Sequence, residues 1–181
     1  MENHLVEINL LRHVQAMVYL IGSNAAFPNN NALPLIFYTR VLRLQEGDAE
    51  TLEYLFKNNG WSGGHRNGIS EKHHYHSHAH EAMGVYQGRA KVQFGGPWGL
   101  IKEVRPGDVV IIPSGVAHKN LESTQDFACV STYPTGQSFD LNYESPKHRI
   151  YLEEKIKATP LPSNDPVFGK EGELLRYWKK T

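Results

Sequence analysis

The 181 residues carry 19 basic side chains (Lys and Arg) against 19 acidic ones (Asp and Glu), for a formal net charge of zero with histidine neutral. A chain of this length buries its core as one domain, which excludes a duplicated barrel. The charge balance leaves no pull toward a phosphate backbone or an anionic surface, so neither nucleic acid nor a membrane is an expected partner.

In the first twenty or so residues, Leu5, Ile8, Leu11 and Val18 recur with polar residues between them, which predicts an amphipathic helix. Arg12, His13 and Gln15 interrupt the apolar character of that stretch, so a secretory segment or a span is not expected and the cytoplasm is the expected location. Residues 35–44, with Ile36, Phe37, Tyr38 and Val41, read as a strand. Asp48 is placed to cap a short helix whose Leu52, Leu55 and Phe56 face inward, and Gly60 is placed to stop it.

Beyond Trp61 the pattern changes to short strands separated by turn residues, predicted over 82–87, 89–94, 100–104, 108–112 and 126–132. That rhythm predicts an all-β jelly roll or sandwich. Ala90, Val92 and Phe94 alternate with Arg89, Lys91 and Gln93, so this strand has one wet face, whereas Val109, Val110, Ile111 and Ile112 form a strand covered on both. Cys129, the single cysteine, excludes an internal disulfide framework and reads as a small buried hydrophobe in an apolar run. After Pro134 the chain is rich in Pro, Asn, Lys and Glu, with one helix predicted near 147–156. The expected organisation is one domain: residues 1–60 packing on a barrel of 61–134, and 135–181 wrapping it.

Histidine is the outlier. Of ten, five fall between His73 and His80, next to Glu81. In a strand, side chains two apart share a face, so His74, His76, His78 and His80 would form a row about 20 Å long at ~3.3 Å per residue. One ion, with bonds to imidazole of about 2.0–2.1 Å, cannot use all of it. A mononuclear site must take two neighbouring histidines and find its other ligands after a reversal. Ser77 and Ala79 are small enough for the chain to bend and return Glu81, and Pro113 and Gly115 force a turn that can aim His118 inward. Three imidazoles and a carboxylate suit Fe, Mn, Ni or Zn.

These residues resemble the two motifs of the cupin superfamily: His74, His76, Glu81 and Gly88 match the first, and Gly107, Pro113, Gly115 and His118 the second. The second motif usually closes on Asn where this chain has Glu122. The wider context, including Phe27-Pro28-Asn29-Asn30, His80-Glu81, Phe94-Gly95-Gly96, Tyr133-Pro134 and the stretch 165–169, resembles the YjlB-like cupins. The resemblance implies a single-domain cupin jelly roll with a few peripheral helices, one divalent transition metal per chain held by His74, His76, Glu81 and His118, and a homodimer.

Blander readings attach to the neighbours. A histidine tract can be a solvated, tag-like loop, but here the glutamate, the glycine and the distant His118 all fall at the required spacing. His80 is expected behind the ligands or in the pocket wall. His73 and His78 are expected at the surface or rim, and Tyr75 is expected to pack away from the ligand face. Trp61, Tyr86 and Trp98 are candidates for the pocket mouth, against the commoner reading of aromatics as core. The expected function is a metal-dependent enzyme of oxygenase or isomerase type acting on a small polar metabolite inside the barrel. The alternative is a non-catalytic cupin that binds a small ligand or uses the metal as a structural staple.

Overall fold

The computed structural model describes residue 10, residues 16–45 and residues 47–179. Its strands are β1 (Ala16–Tyr19), β2 (Leu35–Tyr38), β3 (Trp61–Asn67), β4 (Glu81–Gln87), β5 (Ala90–Phe94), β6 (Leu100–Val104), β7 (Val109–Ile112), β8 (His118–Ser123) and β9 (Ala128–Pro134). They form a six-stranded sheet, β1-β2-β7-β4-β9-β3, and a three-stranded sheet, β6-β5-β8. All the pairings are antiparallel. Among the described residues three α-helices accompany them, α1 (Ala49–Asn58), α2 (Arg149–Ala158) and α3 (Glu173–Tyr177). Two antiparallel sheets with few helices make this the all-β architecture that the strand rhythm predicts, with the peripheral helices that the resemblance implies.

The period-two alternation of the large sheet explains its two cores. Ala82, Val109, Ile111 and Val130 point outward, where Leu52 and Phe56 of α1 and Trp178 of the tail cover them. Met83, Val85, Val110 and Ile112 point inward against Val92 and Phe94 of the small sheet. Both faces of β7 are therefore buried, as its unbroken apolar run requires. Gly84 marks how closely α1 lies: a Cβ there would come within 2.8 Å of Leu52 Cδ2 and 2.9 Å of Phe56 Cζ. The helix itself starts as expected, with Asp48 Oδ1 accepting from the Thr51 N–H at 3.0 Å.

The expected N-terminal helix is corrected where the chain is described: Ala16–Tyr19 is a strand paired with β2, and the remainder of that prediction, apart from Leu10, lies outside the described residues. Pairing with a neighbouring strand overrides a helical apolar period in so short a segment. The strand expected over 35–44 ends at Tyr38 because Arg40 turns with φ of 45° and gives its N–H to Asp108 Oδ1 at 2.7 Å. β3 and β8, whose sequences WSGGHRN and HKNLES have little apolar alternation, were not among the predicted strands. A third small core joins Phe27, Tyr75 and Ala117 to Leu152 and Ile156 of α2, so the tail helix backs the histidine segment. No helix among the described residues is long and apolar enough to cross a membrane.

Candidate metal centre

Two distant stretches of chain meet through their backbones. The His118 N–H donates to His74 O at 2.9 Å and the His74 N–H to His118 O at 3.2 Å, an antiparallel bridge between two of the histidines. The Gly115 N–H donates to His76 O at 2.7 Å. Gly115 has φ of 90°, and a Cβ there would lie 2.3 Å from Asn29 O, so the turn before His118 requires glycine. Between His76 and β4 the chain bends as its small residues allow, fixed by the Ser77 N–H donating to Asp140 Oδ1 at 2.7 Å. Glu81 then opens β4 on the inner face, in step with Met83.

Ring nitrogens of His74, His76 and His118 consequently lie within 4.8 Å of one another, all three residues buried. Glu81 Oε2 is 3.2 Å from His76 Nε2 and 3.3 Å from His118 Nε2. Two ligand atoms each about 2.1 Å from one ion at a near-tetrahedral or near-octahedral angle sit roughly 3.0–3.4 Å apart, so these separations fit a shared cation.

The backbone also selects the tautomer. His74 Nδ1 faces Lys72 O at 3.1 Å, His76 Nδ1 faces Asp140 O at 2.5 Å, and His118 Nδ1 faces Val116 O at 3.2 Å. A carbonyl only accepts, so each Nδ1 carries the hydrogen and donates it. In a neutral ring this leaves the Nε2 lone pair free for an ion, and for His76 and His118 that atom faces Glu81.

Electrostatics without a cation follow from this crowding. Burial pushes Glu81 upward, but the hydrogen bonds and charge of His118 and His76 outweigh it and hold the carboxyl well below its usual range. Burial opposes charging of His76, yet the bond to Glu81 prevails and raises it. His74, buried beside His118 without such a bond, is pushed down to about 3.

The cluster lines a cavity of about 470 Å³. Its wall includes Met83, Ser131 and Tyr133, which alternate inward from β4 and β9, and Phe139 and Leu141 at its mouth. Tyr133 and Phe139 stack at 4.7 Å with 19° between the rings. A comparable cavity, about 520 Å³, lies between the 28–33 loop and α2 and contains none of the four clustered residues.

The other expected pocket residues lie elsewhere. Trp98 is 99% exposed at the β5–β6 hairpin. Trp61 is buried in the outer core, with Nε1 donating to Asn164 O at 3.0 Å, and Tyr86 packs on that same core. His80 is fully buried; its Nδ1 accepts from the Ser114 N–H at 3.0 Å, its ring lies 4.6 Å from Trp178, and burial pushes it down to about 3. Alternation explains why residues 61, 80 and 86, on the other side of the sheet or segment, do not reach the cavity; for His80 this leaves the position behind the ligands, one of the two expected for it. His73 is half-buried against Phe27, 5.4 Å between rings, rather than at the surface. His78 is at the rim, 3.3 Å from Asp140 Oδ2, and Tyr75 packs in the third core. Sequence reading missed Asp140 and Phe139, and named Tyr133 only within the family resemblance, without a place in the pocket. Asp140 reaches His76 through a carbonyl that every residue has and Ser77 through a contact distant in sequence, and no spacing marks Phe139.

Comparison with known proteins agrees with the fold. The family described as "Cupin domain" matches residues 65–133. Over 166 residues the chain is 34% identical to "Uncharacterized protein YjlB" of Bacillus subtilis (strain 168), covering 92% of this chain and 98% of that one. Solved structures with weaker likeness include procruciferin, an 11S globulin from Brassica napus, at 14% identity and TM-score 0.37 over 62% of this chain and 23% of its own. Another is the DMSP lyase DddQ from Ruegeria pomeroyi DSS-3, at 16% and 0.37 over 74% and 53%. The chain spans between about a quarter and a half of those two structures, and overlaps this weak carry no information about activity.

Proposed function

The chain belongs to the cupin family as a relative of YjlB, and from that premise we propose that it is a metal-dependent enzyme acting on a small molecule held in the interior cavity. One divalent transition ion would be bound by His74, His76, Glu81 and His118. The observation that carries this reading is the shared orientation of the three imidazoles, each giving its Nδ1 hydrogen to a backbone carbonyl.

Such an ion, when bound, supplies Lewis acidity and coordination positions for substrate oxygens, a role that suits oxygenase or isomerase chemistry. The protein's own contribution is to fix the ligands before the ion arrives. Backbone bridges hold His74 against His118, the Asp140 carbonyl orients His76, and burial removes competing water from Glu81. The cluster itself lines the cavity, so a bound small molecule would meet the ion directly.

Elemental analysis of protein purified without a metal-affinity step is expected to give one transition ion per chain, and the His76→Ala, Glu81→Ala double variant to give none. Oxygen uptake against a panel of small acids, with Fe- and Mn-loaded protein, then separates oxygenase from isomerase chemistry. Retained stoichiometry in the double variant would remove the ligand assignment, and absence of turnover with every loaded metal would leave a binding protein instead.

A further inference from the structure

The walls of the cavity narrow the ligand class, given the metal centre proposed above. Three neutral imidazoles and one carboxylate around a divalent ion leave a net charge of +1. Among the described lining residues outside that set there is no Lys, Arg, Asp or Glu; the polar ones are Ser131, Tyr133 and, exposed at the rim, His65, Asn67 and Ser70. One negative charge on the ligand therefore balances the site, whereas a second placed in the interior, away from His65 at the rim, would lack a fixed cation, which is costly.

The shape of the walls is as informative as their charge. Tyr133 and Phe139 stack into a flat aromatic surface, and Met83, Ile69 and Leu141 add apolar area around it. Phe139 is 45% exposed and Leu141 52% exposed at the mouth, apolar surface that a ligand body would cover. Tyr133 lines the cavity; the residue is 2% exposed, but its hydroxyl is not among the buried atoms that lack a partner, so it opens to the cavity. A phenol O–H on the cavity wall can donate to a ligand acceptor.

We infer that the cavity takes a small monocarboxylate with a flat apolar body, its carboxylate directed to the histidine and glutamate cluster and to the Tyr133 hydroxyl, and its body against Phe139. A sugar would waste the apolar wall, and a dianion would strand a charge.

The test uses the full chain loaded with Co(II), whose visible spectrum reports coordination, together with calorimetric titration. The probes are 2-methylbenzoate, phthalate, which matches it in shape but carries a second charge, and glucose. We expect 2-methylbenzoate to perturb the cobalt bands and to bind at least about tenfold more tightly than either other probe. Tyr133→Phe should weaken 2-methylbenzoate about three- to tenfold, the loss of one hydrogen bond, while leaving the ligand-free cobalt spectrum as in the wild type. Phthalate or glucose binding as tightly as 2-methylbenzoate, or an unchanged affinity in Tyr133→Phe, overturns the inference while leaving the metal centre in place. Failure to load one cobalt per chain overturns both.

Discussion

Among the described residues Glu81, Asp108 and Asp165 are buried carboxylates, and the contrast between Asp165 and Glu81 lies in their partners. Asp165 is fully buried and closed: Oδ2 accepts from Tyr38 Oη at 2.7 Å and Leu174 N at 3.2 Å, and Oδ1 accepts from Val167 N at 2.8 Å and Phe168 N at 3.1 Å. Tyr38 Oη in turn accepts from the Glu173 N–H at 2.8 Å, and Gly172 lies so near that a Cβ would meet Asp165 Cγ at 2.1 Å. Every group that touches Asp165 is spent on Asp165. Glu81 instead meets two imidazoles whose facing nitrogens can bind something else, beside a cavity. Burial of a charge therefore does not mark a functional site; what marks it is whether the partners keep unused valences.

The sharpest way to break that contrast is to truncate each carboxylate. Asp165→Ala strands the Tyr38 hydroxyl and three backbone N–H groups in the tail core, and a loss of about 3–5 kcal/mol is expected in denaturant unfolding, with metal stoichiometry per folded chain unchanged. Glu81→Gln should reverse the pattern. Its metal affinity should fall about a hundredfold or more, since even groups that only support a ligand are worth about 10–100-fold. The unfolding midpoint of the metal-free protein should fall less than in Asp165→Ala, since Gln keeps a hydrogen-bonding group and loses only the charge that His118 and His76 hold. If Glu81→Gln unfolded the protein and Asp165→Ala lost the metal, the two roles would be exchanged.

The same contrast explains what could be read from sequence. The four clustered residues were legible because two motifs fix their spacing, and the glycine and proline between Gly107 and His118 dictate a turn whatever surrounds it. The helix at Asp48 was legible because its cap and its inward Leu52, Leu55 and Phe56 are local signals. Asp165 was visible only as part of a resemblance, because its partners lie 127 and 9 residues away in Tyr38 and Leu174. Asp140, 64 residues from His76, gave no sign for the same reason. Trp98 misled because an aromatic near a site counts equally as pocket or surface until the hairpin that carries it is placed. The strand at Ala16–Tyr19 was missed because strand pairing is a property of the partner as much as of the segment.

His80 is an intermediate case that sharpens the comparison. Its Nδ1 is engaged by Ser114, while its buried Nε2 has no hydrogen-bond partner among the described residues. Its pKa falls from 6.5 to about 3 on burial. The folded state resists a proton that the unfolded state takes up, so the stability present above pH 6.5 is lost as pH falls from 6.5 toward 3, by up to about 1.4 kcal/mol per pH unit. Unfolding free energy of metal-free protein measured between pH 7 and 4 should show this slope, and His80→Phe should flatten it by one group's share. His74, also held near 3, adds a parallel contribution that the variant leaves in place. An unaltered slope in His80→Phe would mean that His80 does not enter the acid transition.

The smallest effect tests the reach of the open site. Asp140 touches no ion in this arrangement; its carbonyl accepts from His76, and its carboxylate is held by Ser77 and by Asn142 Nδ2 at 2.6 Å. Burial pushes that carboxyl upward, but these hydrogen bonds outweigh it and hold it below its usual range. Asp140→Ala keeps the carbonyl and removes the anchors that fix it. Metal affinity should therefore fall by about tenfold or less, the range for groups that orient a ligand, with stoichiometry still one per chain and the cobalt spectrum broadened rather than lost. Asp140→Asn, which retains acceptance from Ser77, should recover most of the difference. Equal loss in both variants would show that the charge of Asp140, rather than its hold on the His76 carbonyl partner, supports the site.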